Sequence, residues 1–128
     1  MTNGPKGKLS IRTLAMPEHT NPDGQIFGGW VVSQMDLAGM YVARKYTACR
    51  CVTVAIDSMT FISPVHVGDF VCCYSMVEKL GRTSMHIHIE TWAFSSKAGE
   101  ERRKVTEGKF IFVSVDEKGR PQPLINVD

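Results

Sequence analysis

Apolar and polar positions alternate in five stretches of the chain and follow a helical spacing in one. Leu9, Ile11 and Leu14 mark a first strand within Leu9 to Met16. Pro17 to Gly24 is rich in turn residues (Pro17, Asn21, Pro22, Asp23 and Gly24) and reads as a loop. Val31, Met35, Ala38 and Val42 then recur at helical spacing, with Val32, Asp36 and Met40 as an adjacent stripe. Four long strands follow: Cys51 to Phe61, Phe70 to Leu80, Thr83 to Phe94 and Val105 to Val115. Ser63-Pro64 with Gly68-Asp69, Gly81-Arg82, and the polar run Ser95 to Glu101 separate them. Asp116 to Gly119 closes the last strand, and Arg120 to Asp128 carries two prolines and little pattern.

One helix followed by a run of strands is an α+β pattern. The helix is apolar almost all round, so its back cannot rest in water. Either the sheet curls around it or a second subunit covers it. The stretch from Gly24 to Ala43 has about the length of a membrane span. It also holds Asp36, Gln25, Gln34, Ser33 and four glycines, which favours a buried central helix.

The 128 residues suit one domain, 1–128, with 1–8 expected to be flexible and 120–128 a C-terminal tail. A net charge of +2 is too weak to argue for nucleic acid, and Met1 to Ser10 has no apolar leader core. Cys49, Cys51, Cys72 and Cys73 match no zinc spacing. In a strand Cys49 and Cys51 share a face, while Cys72 and Cys73 point to opposite faces. They read as reduced thiols of a cytoplasmic protein.

Asp36 is the only charged residue between Asp23 and Arg44. Desolvating a carboxylate without a near partner is costly, so such a residue is a candidate for chemistry. Gly28 and Gly29 open the same stretch, where backbone N–H groups at a helix start have no helical acceptor. His86, His88 and Glu90 share one strand face, opposite Met85, Ile87 and Ile89. That face points outward, so no metal site is assigned there. Arg102, Arg103 and Lys104 form one basic cluster, and Arg44, Lys45 and Arg50 another.

Several runs together resemble the YciA-type acyl-CoA thioesterases of the hotdog fold. They are Arg12 to Pro17, Thr20 to Gly24, Ile26-Phe27-Gly28-Gly29-Trp30 and Ser33-Gln34-Met35-Asp36. Val52 to Met59 with Phe61, Val67-Gly68-Asp69, Val71 to Tyr74 and Gly81-Arg82-Thr83-Ser84 extend the likeness over Leu9 to Gly119. The resemblance implies a curved antiparallel sheet wrapped around one long helix, paired edge to edge with a second copy. Many members assemble further, often as hexamers, which implies a homodimer at least and a trimer of dimers as the expected assembly. The added C-terminal helix of some relatives is not expected here.

The reaction so implied is hydrolysis of the thioester of acyl-CoA to a fatty acid and CoA. Coenzyme A is part of substrate and product, and no separate cofactor is expected. Asp36 matches the catalytic carboxylate, acting as general base on water or as nucleophile. Asn21 matches the loop Asn that orients water or carbonyl, facing Asp36 of the other subunit. It also suits a turn or a cap. His19, two residues earlier, is a minor candidate for the site. Gly28 and Gly29 would polarise the thioester carbonyl, though they also suit close packing of helix on sheet. Gly81, Arg82, Thr83 and Ser84 would line the CoA path, Arg82 on a phosphate and Ser84 on the pantetheine arm, with Arg102, Arg103 and Lys104 as weaker candidates for the nucleotide end. The competing readings are a non-catalytic acyl-CoA sensor and a dehydratase of hydroxyacyl thioesters. Retention of the acid and the Asn argues against the first, and the absence of a helix His beside Asp36 against the second.

Overall fold

The structure is a computed structural model that describes residues 4–95 and 101–124. The strands are β1 (Lys8–Leu14), β2 (Arg50–Phe61), β3 (Asp69–Leu80), β4 (Ser84–Ser95) and β5 (Arg103–Val115). One helix, α1 (Gly28–Ala43), lies between β1 and β2. The strands form a single antiparallel sheet in the order β1-β3-β4-β5-β2. Boundaries differ from the sequence reading by one or two residues. Most of the loop between β4 and β5, residues 96–100, lies outside the described residues.

The alternation works because one sheet face is buried beneath the helix. Met85, Ile87 and Ile89 of β4 and Phe110 and Phe112 of β5 are fully buried. They meet Val31, Met35, Ala38 and Gly39 of α1. Each large apolar side chain buried this way contributes about 1.5–3 kcal/mol. Gly39 sets how close the helix can come. A Cβ at that position would lie 2.6 Å from the Phe112 ring and 3.0 Å from Ile89.

The opposite side of the helix is not covered within one chain. Leu37 and Tyr41 are each 56% exposed, and Gly29 and Ser33 continue the same i, i+4 row in the open. Val52, Val54 and Ile56 on β2 are exposed as well. That strand is a sheet edge, and it is twelve residues long. A long apolar edge of unpaired backbone groups is a template for another strand. At 16 residues α1 falls short of a membrane span, and no described helix is long and apolar enough to cross one.

The four cysteines are free thiols. Cys49 precedes β2 rather than lying within it, so the shared face expected with Cys51 is not formed by a strand. Burial pushes the Cys73 thiol up to about 11. The tail is tied down as far as Leu124: the Gln122 N–H donates to the Ser114 carbonyl and the Leu124 N–H to the Arg82 carbonyl.

The outward face of β4 differs from the expectation. Glu90 is only 2% exposed, because Trp92 and Lys104 gather over it and the N-terminal segment reaches it at Lys6. Its carboxylate accepts from Trp92 Nε1 at 2.9 Å and from the Lys6 N–H at 3.4 Å, and lies 3.0 Å from His88 Nε2. His86 is half-buried and outside this group. The donor atoms of His88, Glu90 and Glu107 lie within 4.8 Å of one another. The Lys104 ammonium supplies the positive charge there, on Glu107 and 3.9 Å from Glu90.

Burial alone would raise the Glu90 carboxyl. The hydrogen bonds from Trp92, His88 and Lys6, with the Lys104 charge, outweigh it and hold the group below its usual 4.5. The ionised form therefore stabilises the fold above the ordinary carboxylate pKa, and that contribution is lost as pH falls through the lowered value. Glu90→Ala should cost about 2–3 kcal/mol at neutral pH by urea unfolding, since it strands buried donors. The gap between variant and parent should narrow as the acid range is entered. In the same assay, Gly39→Ala should lose about 1–3 kcal/mol to overpacking. The helix-propensity gain of about 1 kcal/mol offsets only part of that.

Candidate active site

Asp36 sits just past the middle of α1, half-buried and one position from the buried Met35. It is not the unpartnered acid that its neighbours in sequence suggest. The Thr53 hydroxyl of β2 donates to Asp36 Oδ1 at 2.5 Å. That bond engages one oxygen, and among the described residues no hydrogen bond engages the other. Thr53 is neutral and brings no opposing charge to the carboxylate.

The helix start presents free donors. Phe27 is the N-cap residue, and no side chain caps the helix. The Trp30 and Val31 N–H groups fold back onto the Phe27 carbonyl at 3.1 and 3.3 Å. Among the described residues, the Gly28 and Gly29 N–H groups meet no acceptor. A Cβ at Gly29 would meet nothing within 4 Å, so packing inside the chain does not require glycine there. A glycine in open space at a helix start suits close approach by something from outside the chain.

Asn21 holds the loop in front of that helix start. Its Oδ1 accepts from the N–H groups of Asp23 and Gln25, both at 3.0 Å. This is a turn role, and it uses up the side-chain carbonyl. The two Nδ2 protons remain as donors, so any role at a reacting group is donation. His19 stacks on Trp30 at 4.6 Å between ring centroids, and its Nδ1 accepts from the Met16 N–H. It braces the loop against the first turn of α1.

Within one chain these parts do not converge. Gly28 and Asp36 are eight residues apart on one helix, about 12 Å at 1.5 Å per residue. A base and the donors for one carbonyl must each lie about 3 Å from the reacting atoms. The Gly81-Arg82-Thr83-Ser84 hairpin belongs with Asp36, not with Gly28. Ser84 pairs with Val113 and Val113 with Val52, next to Thr53. Two strand spacings of about 4.8 Å therefore separate Ser84 from Val52. Arg82 is exposed and meets no charged partner among the described residues. A cavity of ≈720 Å³ opens at this same end, lined by Arg50, Lys118 and Arg120 together with Asp116 and Glu117.

The basic cluster after the β4–β5 loop is engaged within the chain. Arg103 pairs with the buried Asp69 and donates to the Pro64 carbonyl. Arg102 donates to the Tyr74 hydroxyl at 2.6 Å, and Lys104 is held by Glu107. Sequence reasoning missed Thr53. Its partner lies seventeen positions away on another element, and no spacing rule connects them.

Comparison with known proteins gives the family. A family model described as the thioesterase superfamily matches residues 23–99. The acyl-CoA thioester hydrolase YciA of Salmonella typhimurium is 50% identical over 126 residues, covering 97% of this chain and 95% of its own length. The YciA of Escherichia coli is 48% identical, covering 95% and 94%. Among solved structures, a hexameric broad-specificity acyl-coenzyme A thioesterase superposes with TM-score 0.91 at 45% identity, covering 98% of this chain and 86% of that one. A hexameric thioesterase from Yersinia pestis gives 0.89 at 48%, covering 95% and 99%. Fold, length and sequence all place this chain in the thioesterase superfamily of hotdog-fold proteins, among the YciA-type acyl-CoA thioester hydrolases.

Proposed function

We propose that the protein hydrolyses acyl-CoA thioesters, in a site completed by two copies of the chain. The observation that carries this is the Asp36 carboxylate, fixed by Thr53 at the open edge of β2 and about 12 Å along the helix from the free N–H groups of Gly28 and Gly29. Antiparallel pairing of β2 with its copy resolves the separation. With the two-fold axis placed at Asp57, Thr53 of one chain would lie opposite Phe61 of the other, since each is four residues from it. Phe61 lies against Gly28. Asp36 of one chain then meets Gly28, Gly29 and Asn21 of its partner. Pairing also covers Val52, Val54, Ile56, Leu37 and Tyr41.

The chemistry follows from the parts. The thioester carbonyl oxygen lies against the helix-start N–H groups, where the positive end of the helix favours developing negative charge. Asn21 Nδ2 adds a donor to the carbonyl or to the water. Asp36 takes a proton from the water as that water attacks the carbonyl carbon. Collapse of the tetrahedral intermediate expels the CoA thiolate, which takes up the proton, and leaves the free acid. Direct attack by Asp36 to form an anhydride uses the same placement.

Arg82 receives a CoA phosphate, with the Gly81–Ser84 turn along the pantetheine arm and the cations of Arg50 and Lys118 at the same end. The hexameric relatives support a trimer of such dimers, and the four free thiols support a cytoplasmic location.

Thiol release from a series of acyl-CoAs tests the reading. Asp36→Asn keeps the size and an acceptor for Thr53 and should lower kcat by about 10²–10⁴ with the dimer intact. Unchanged turnover in that variant removes the assigned role. Tight CoA-ester binding without turnover by the parent protein would favour the sensor reading instead.

A further inference from the structure

Three side chains on the sheet face away from α1 converge on one point. His88 and Glu90 of β4 and Glu107 of β5 bring their donor atoms within 4.8 Å of one another. Glu90 and Glu107 stand directly opposite in the β4–β5 register, and like charges so placed repel. His88 Nε2 lies 3.0 Å from Glu90 Oε2 and 3.7 Å from Glu107 Oε1. Each carboxylate has its other oxygen engaged elsewhere. Glu90 Oε1 accepts from Trp92 Nε1 and the Lys6 N–H, with the Lys104 ammonium 3.9 Å away. Glu107 Oε2 is held by Lys104. Among the described residues, only His88 reaches Glu90 Oε2 and Glu107 Oε1.

That division of atoms matches a metal-ligand set, in which hydrogen bonds to the outer oxygen of a carboxylate orient the inner one. One His88 Nε2–H can serve only one of the two inner oxygens and leaves the other beside a like charge. Lys104 balances the pair from the outer side alone. A divalent cation among the three inner atoms satisfies all of them and leaves Lys104, Trp92 and Lys6 in place, with neutral His88 offering the Nε2 lone pair. Tetrahedral bonds of about 2.0–2.1 Å set ligand atoms roughly 3.3 Å apart. The two histidine separations fall on either side of that spacing. A cavity of ≈290 Å³ is lined by His88 and Glu107 together with Asp57, Glu78 and Lys109. It gives an ion a route in and room for a water as fourth ligand.

We propose that His88, Glu90 and Glu107 form a binding site for a divalent cation of the zinc class. An imidazole with two carboxylates suits such an ion, whereas Ca²⁺ and Mg²⁺ take six or more oxygens. Glu107, not His86, completes the trio that strand alternation suggested. β4 and β5 are interior strands, so pairing along β2 leaves this face open. The ion clamps β4 to β5 and, through Glu90, holds the N-terminal segment, on the opposite sheet face from Asp36.

Isothermal titration of the chelator-treated protein with zinc chloride tests the site. The parent should take up one ion per chain, and an equal concentration of magnesium should not displace it. His88→Gln and Glu107→Gln change half-buried positions and should each weaken uptake by about 100-fold or more, at least the cost of losing an outer partner. Trp92→Phe frees Glu90 Oε1 and should weaken uptake by about 10–100-fold. Absence of saturable uptake by the parent overturns the site. So does undiminished uptake in any of the three variants, which would put the ion on a thiol or another histidine, and so does displacement by magnesium.

Discussion

The packing of one helix stripe against the sheet decides where everything else lies. Val31, Met35, Ala38 and Gly39 turn inward, and Gly39 lets α1 settle onto Phe112 and Ile89. With that face fixed, the helix has no freedom to rotate. Asp36 is carried to the side of the edge strand, where the Thr53 hydroxyl meets it, and Leu37 and Tyr41 are carried outward. The same contact that builds the core thus places the acid at an open edge. Shifting the stripe by one residue would turn Asp36 by about 100° and bury or strand it.

A rigid helix also keeps its own ends apart. Its free N–H groups and its carboxylate are held about 12 Å from each other, too far to act on one carbonyl. In the proposed site, two copies of the chain meet that limit together. The apolar residues along β2 and the outer helix row then have a purpose that a monomer does not give them. On the proposed reading, association and catalysis become one requirement, since the surface to be covered borders the groups to be brought together.

Much of the fold was legible because its physical cause is local. A half-buried strand alternates and a central helix is apolar almost all round, so the strands and α1 follow from the spacing of apolar residues. The acid, the glycine pair and the family could be read in the same way. What stayed hidden depends on distant pairings. Thr53 gave no sign that it would hold Asp36. Arg102, Arg103 and Lys104 looked like free cations until Tyr74, Asp69 and Glu107 came beside them. Glu90 fell on the outward face as alternation predicts, yet the N-terminal segment, Trp92 and Lys104 cover it. Asn21 shows its turn role, with its oxygen accepting from Asp23 and Gln25.

The central claim is that each site takes Asp36 from one chain and Asn21 with the helix start from the other. Co-expression of Asn21→Ala and Asp36→Asn chains tests it most directly. Each variant alone should be nearly inactive. A mixed dimer holds one site with both changes and one with neither, so random pairing should restore about a quarter of the parent thioesterase activity. No recovery in purified mixed dimers would mean that the two residues act within one chain, and would contradict the account.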